Sequence, residues 1–371
     1  MRIFKLRTSA LTASIALTTL VGCGGSSQMT PTSLAQSGAG SPPIQGVAFQ
    51  NGRLDGSLAT RGGIVSAHGP ARPSFMDPGA VGKPLVFVSY GGTIDIYLQR
   101  GKNKLVGQIP AGGTDLATDA AGDLYSANPI FSSDSGNVTI YAPPYTDGPK
   151  LTLSGSSALV AVSRQGIVAV GTDGCDLSSS PCSFRFYPSG STTPCATVAL
   201  DQAAFPNGVY GAAFDRRGNL YAASSGSGTE APLNVGKIDG GCNATKAKIL
   251  TTTNSIPYAA SIRVDKAGRI AIFTATSDLK TDAIDSYDPP KGASLGNPVS
   301  TTPLPGSNYN GTFAFQASGL GLWAANFGVG SSYRSGASEY AYPAGGAPQK
   351  TIVGAPQSVA YGVAVTPALV P

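Results

Sequence analysis

Five glycines, at positions 122, 166, 218, 268 and 319, fall 44, 52, 50 and 51 residues apart, each inside the same short phrase. The phrase is an apolar alternation, an Asp, two residues, Gly, a polar residue, then Leu or Ile. The clearest copies are Asp119-Ala-Ala-Gly122-Asp-Leu-Tyr125, Asp215-Arg-Arg-Gly218-Asn-Leu-Tyr221 and Asp265-Lys-Ala-Gly268-Arg-Ile-Ala271. Ser163-Arg-Gln-Gly166 and Gln316-Ala-Ser-Gly319 are degenerate copies. Such a phrase describes a tight hairpin: the Asp side chain bonds the turn's own backbone and Gly supplies the positive φ. These Asp residues are therefore read as turn-formers rather than catalysts.

A second phrase follows each hairpin. Tyr141-Ala-Pro143, Tyr187-Pro188, Tyr287-Asp-Pro289 and Tyr342-Pro343 each end a strand and open a turn. Short strands are expected next, at 150–153, 196–200, 297–301 and 349–353. Each unit thus holds four strands, A to D, in about 50 residues, which is the period of a β-propeller blade. Residues 84–89, 93–97 and 104–109 supply B, C and D strands with no A strand before them, while 359–366 reads as a lone A strand. The C-terminal strand should complete the first blade and leave no open edge. The expected fold is all-β, a six-bladed propeller over 83–371, with seven blades as the alternative if the weakly patterned arm, 46–82, contributes strands.

Composition agrees. Of 371 residues, 49 are Gly and 28 Pro, and only two of the 20 acids are Glu (Glu230 and Glu339), which excludes a helical bundle. The N-terminus reads as an export signal. Arg2, Lys5 and Arg7 precede a short apolar run, too brief to span a bilayer, that ends in Leu20-Val21-Gly22-Cys23. The ending resembles the lipobox of bacterial lipoproteins, in which the Cys is acylated. That resemblance implies a signal peptide over 1–22, lipidation at Cys23 and an envelope location. Gly24 after the Cys implies the outer membrane or cell surface. Residues 24–45, rich in Gly, Ser, Thr, Pro and Gln, read as a tether. Removing the signal takes three of the 25 Lys and Arg, leaving 22 against 20 acids, a net charge of +2. With no basic run beyond Arg216-Arg217, a nucleic-acid partner is not expected. A monomer is.

The phrases Gly362-Val-Ala-Val-Thr366, Ala213-Phe-Asp-Arg-Arg-Gly-Asn-Leu-Tyr221 and Val138-Thr-Ile-Tyr-Ala-Pro143 resemble NHL-type propeller repeats, and the chain as a whole is similar to secreted bacterial propeller lipoproteins. The resemblance covers 84–366. It implies the fold and says little about activity, because the fold hosts binders, scaffolds, lyases and lactonases.

Candidate chemistry is sparse. The single His, His68, lies in the arm, away from any ring position a lyase base would need. Gly292-Ala-Ser294-Leu-Gly296 matches a nucleophile elbow. It follows Pro289-Pro290, and no helix is expected after it, so it reads as a loop between strands C and D. Calcium-dependent lactonases of the gluconolactonase type are similar in fold and hold their metal with a Glu of the first blade plus Asn and Asp at the channel mouth. Here 84–109 contains no Glu; its acid is Asp95. Asn128 and Asn326 end B strands, and Asp134, Asp173, Asp278 and Asp282 are placed in B–C loops, so a channel Ca ion is conceivable without being indicated. No cofactor or metal site is assigned. The face reached by the B–C and D–A connections is expected to carry exposed Tyr90, Phe131, Phe205, Tyr210, Tyr258, Tyr309, Phe327 and Tyr333. The ligand-binding candidates are Tyr90, Asn128, Tyr210, Tyr258, Tyr309, Asn326 and Phe327. The reading is a membrane-anchored binding module for protein, peptide or glycan, with a metal-dependent, lactonase-like hydrolase in the channel as the alternative. No catalytic residue is assigned.

Four cysteines remain after Cys23. Cys175 and Cys182 share the B–C connection of the third blade; Cys195 follows the C–D turn of that blade and Cys242 lies in the C–D turn of the next. B–C and C–D connections emerge on opposite faces, a full strand length apart, beyond the roughly 7 Å Cα limit of a disulfide. The expected bridges are Cys175–Cys182 and Cys195–Cys242.

Overall fold

The computed structural model describes residues 73–367, except 91, 129–135, 155–158, 173–174, 176–180, 207, 225–230, 277–280, 307–309, 327–334 and 355–357. All of them belong to one compact unit, Gln45–Pro371. The signal, Cys23, the tether, His68 and most of the arm lie outside the described residues.

Six antiparallel sheets make six blades. The first joins Gly362–Thr366 as its A strand to Leu85–Ser89, Ile94–Leu98 and Leu105–Ile109. The second is Asp115–Thr118, Leu124–Asn128, Asn137–Tyr141 and Leu151–Ser154; the third is Val160–Val162, Val168–Gly171, Ser183–Tyr187 and Ala196–Ala199. The fourth runs Val209–Phe214, Leu220–Ser224, Pro232–Ile238 and Ala247–Ser255. The fifth is Tyr258–Val264, Ile270–Ala275, Asp282–Tyr287 and Ser300–Pro303, and the sixth Asn310–Phe315, Gly321–Asn326, Gly336–Ala341 and Lys350–Val353. Ring closure is as expected: Val88 faces Val363 and Val86 faces Val365 across the first blade's A–B pair. Gln99 Nε2 ties the junction by donating to the carbonyls of both Leu85 and Thr366.

Among the described residues the arm, 73–82, adds no seventh blade. Its strand Phe75–Met76 is a fifth strand on the outer edge of the first blade, pairing with Gln108 and Gly107. A second fifth strand is a correction to the sequence reading. Ser294–Gly296, expected to be a loop, runs parallel to the D strand of the fourth blade through Thr251 and Thr252. That pairing uses residues ahead of the fifth blade's own D strand, which therefore starts at Ser300, three residues later than the 297–301 expected.

The core consists of six inter-blade layers. Val86 and Val88 pack on Trp323 and Ala325 between the first and sixth blades, and Phe184 and Phe186 on Phe214 and Leu220 between the third and fourth. Because both faces of a blade are covered, B strands such as Leu85–Ser89 are buried at every position. The outer D strands have one covered face and one wet one, and Leu151–Ser154, Ala196–Ala199, Ser300–Pro303 and Lys350–Val353 all repeat a single burial pattern with only the third residue buried.

The repeated phrase is the hairpin expected. Gly122, Gly166, Gly218, Gly268 and Gly319 have φ of 86°, 78°, 80°, 82° and 69°. Asp215 Oδ1 accepts the backbone N–H of Arg217 and Asn219, and Oδ2 accepts the Tyr221 hydroxyl. Asp119 does the same with Ala121, Asp123 and Tyr125. In the fifth blade, where Ala271 replaces the Tyr, the hydroxyl comes from Tyr342 of the next blade.

Candidate functional site

Strand direction alternates within each blade, so all B–C and D–A connections open on one face, the loop face, and all A–B and C–D turns on the other, the turn face. Both disulfides obey this division and form the expected pairs. Cys175–Cys182 lies on the loop face, and Cys195–Cys242 joins the third and fourth blades on the turn face, with Cα separations of 4.3 and 5.1 Å.

The axis of the ring is bridged. The six A strands are neighbours in sequence around it, and the second and fifth stand opposite each other. Arg263, on the fifth, reaches Asp115, on the second: Nη2 donates to Oδ1 at 2.9 Å. The same guanidinium donates through Nη1 to the carbonyls of Ala212 and Ile262 and lies 6.0 Å from the centre of the Phe313 ring. Asp115 Oδ2 accepts the backbone N–H of Val160. One side chain thus touches the second, fourth, fifth and sixth blades. Burial pushes the Asp115 carboxyl above its usual range, against the attraction of Arg263. Register pairs place Ala117, Ala161, Ala213, Ala314 and Val365 at the position Arg263 occupies in its blade. Only the fifth blade carries a long cation at this position. The sequence reading missed this pair; the signal was the lone Arg in that series. Nearby, Gly211 has no room for a Cβ, which would lie 2.6 Å from the Ile262 nitrogen, so the fourth and fifth A strands approach closely.

The ligand-binding candidates separate. Tyr90 is 5% exposed and packs with Val88 and Trp323 in the layer between the first and sixth blades, so it is an interior residue and not a surface one. Phe205 is likewise buried, over Gly236, which has no side chain to obstruct it. Tyr210 and Tyr258 are half-buried near the loop-face start of their A strands. Asn128 and Asn326 are also half-buried and occupy equivalent positions at B-strand ends. Each donates to a hydroxyl two residues into the C strand, Thr139 at 3.2 Å and Ser338 at 2.9 Å. Asn128 also donates to Asn137. Tyr309, Phe327, Phe131 and Tyr333 lie outside the described residues, as do Asp134, Asp173 and Asp278. Asp282 is not in a loop: it begins the fifth C strand and is buried. Among the described residues no three His, Cys, Asp or Glu side chains are grouped to hold a metal ion. Ser294 Oγ donates to the Thr251 carbonyl and accepts from the Gly296 N–H, serving the strand pairing described above.

No protein-family model matches the chain, and no curated protein matches it. Among solved structures it is similar to TolB from Acinetobacter baumannii, with a TM-score of 0.51 and 12% identity over 78% of this chain and 68% of that one. A protein of unknown function from Bacteroides caccae gives a TM-score of 0.51 and 11% identity over 76% of this chain and 99% of that one. Hydrazine synthase from Kuenenia stuttgartiensis has a TM-score of 0.45 at 13% identity, and the match spans 63% of that chain. At 11% and 12% identity the likeness to the TolB and Bacteroides caccae structures is one of fold alone; the six sheets make the protein a six-bladed β-propeller.

Proposed function

We propose that the protein is an exported, lipid-anchored binding module. Cys23 carries the lipid, 24–45 is the tether, and the loop face of the propeller is the recognition surface for a peptide, protein or glycan. The observation that carries the reading is the bridged axis. With Arg263 and Asp115 joined across the axis of the ring, the loop face is the surface read as the ligand site, where Tyr210, Tyr258, Asn128 and Asn326 are half-exposed around the rim. Aromatic rings beside amide and hydroxyl groups suit a surface that must be both apolar and hydrogen-bonding. Two bridged cysteine pairs support an oxidising compartment. In this reading the protein works as a monomer and needs no resident cofactor.

Three measurements test it. Cys23→Ser should release the protein from the membrane fraction, because acylation needs the sulfur; equal retention of variant and parent would remove the anchor. On a glycan and peptide array, binding by the parent should be lost in Tyr258→Ala. Metal-stimulated hydrolysis of a lactone panel by the parent would replace the binding reading with an enzymatic one.

A further inference from the structure

The small net charge of the mature chain hides a separation between its faces. Among the described residues, the B–C and D–A connections contain no Lys or Arg. In sequence, those connections carry Asp134, Asp173, Asp176, Asp201, Glu230 and Asp278 against Lys280 and Arg334. The cations are concentrated in the turns of the opposite face. On the third, fourth and fifth blades, Arg164, Arg216, Arg217, Lys246, Lys266 and Lys291 are all exposed there. Among the described residues no carboxylate forms an ion pair with any of the six.

The acids of that sector are mostly engaged. Asp215 and Asp265 accept from their own hairpins, Asp265 also pairs with Arg269, and Asp239 pairs with Lys237 and Lys248 at 2.7 and 2.9 Å. Asp288 is exposed and lies close enough to Arg269 to attract it. Adjacent hairpin tips are linked, Arg216 Nη2 donating to the Lys266 carbonyl at 2.6 Å and Lys266 Nζ to that of Ser318 at 3.3 Å.

We infer that the turn face is an electrostatic docking surface for the anionic headgroups of a bilayer. Exposed cations that no described carboxylate pairs complement the phosphates of lipid headgroups. The choice of occupant rests on the lipid-anchor reading. A tether of the composition and length of 24–45 spans on the order of 25 Å, which keeps the face within reach of the membrane that holds Cys23. Docked in this way, the protein presents its loop face outward.

The test is vesicle co-sedimentation with the Cys23→Ser chain, which cannot be acylated. Docking is thereby measured apart from anchoring: if the parent fails membrane fractionation while the variant binds vesicles, only the anchor reading falls. Binding should be absent on phosphatidylcholine, rise with phosphatidylglycerol content and fall with added salt. Replacing Arg216, Arg217 and Lys266 by Gln should weaken it about a hundredfold, at roughly fivefold per cation. Arg164→Gln with Lys246→Gln and Lys291→Gln serves as a second variant if the first fails to fold. Failure to bind phosphatidylglycerol vesicles at low salt, undiminished binding by a folded variant, or binding to heparin or RNA without binding to vesicles would each overturn the inference.

Discussion

Arg263 and Asp115, 148 residues apart in the chain and on opposite blades, meet at 2.9 Å across the axis of the ring. Their side chains are 15% and 2% exposed. Truncating one member of such a pair leaves an uncompensated buried charge, whereas removing both at matched volume does not. Arg263→Ala should lower unfolding free energy by about 3–5 kcal/mol, and Asp115→Leu with Arg263→Met should recover most of it in urea denaturation. Additive losses in the double variant would mean that the two side chains do not act as a pair.

The second expectation concerns closure. Deleting 362–371 removes the first blade's A strand and exposes the paired edge of Leu85–Ser89, together with the layer that Val363 and Val365 share with Trp323. The truncated chain should aggregate or lose its cooperative thermal transition, because an uncovered, apolar central edge is an aggregation site. A melting curve like that of the parent would show that closure contributes nothing.

The disulfides should differ in accessibility. Cys195 is exposed, whereas Cys175 and Cys182 are buried. Graded reductant followed by alkylation should label Cys195 and Cys242 first. Replacing both by Ser opens a loop of sequence separation 47 and should cost about 4 kcal/mol in the chain-entropy model. Non-reducing peptide mapping gives the pairing directly, and a 175–195 or 182–242 peptide would contradict the structure.

Asp285 provides a test by pH. Burial pushes its carboxyl above the usual range, while hydrogen bonds from Thr301 and Asn254 pull it down. The Thr301 hydroxyl donates to it at 2.6 Å. The folded state therefore holds this proton more tightly than the unfolded chain does. The resulting stabilisation is complete below the unfolded carboxylate's pKa and is lost as pH rises through that value to the folded one. Asp285→Asn should melt above the parent at neutral pH, and the gap should close in acid. A gap that persists in acid would assign the effect to packing instead.

Much of the fold was legible because it depends on local chemistry repeated at a fixed period. Asp215-Arg-Arg-Gly218 is a hairpin wherever it stands, since its hydrogen bonds and positive φ are made within the phrase. Counting such phrases gives the blades, and counting the unmatched strands at the two ends gives the closure. The disulfide pairing was legible for the same reason, because antiparallel alternation assigns each Cys to a face.

What the chain order conceals is whatever depends on which blades face or touch one another. Nothing local distinguishes Tyr90, which is buried against Trp323 of the sixth blade, from Tyr210 or Tyr258, which are partly exposed. Ser294–Gly296 becomes a strand only because the fourth blade's edge lies beside it. Arg263 finds Asp115 only because the ring brings opposite blades to one axis. The cations, scattered singly through the chain, gather because alternate connections are folded onto the same face. The sequence alone determined the repeat, its hairpins and its bridges through short-range bonding. Tertiary structure alone decided the bridged axis and the cationic turn face, because those arise from proximity between residues that the chain keeps far apart.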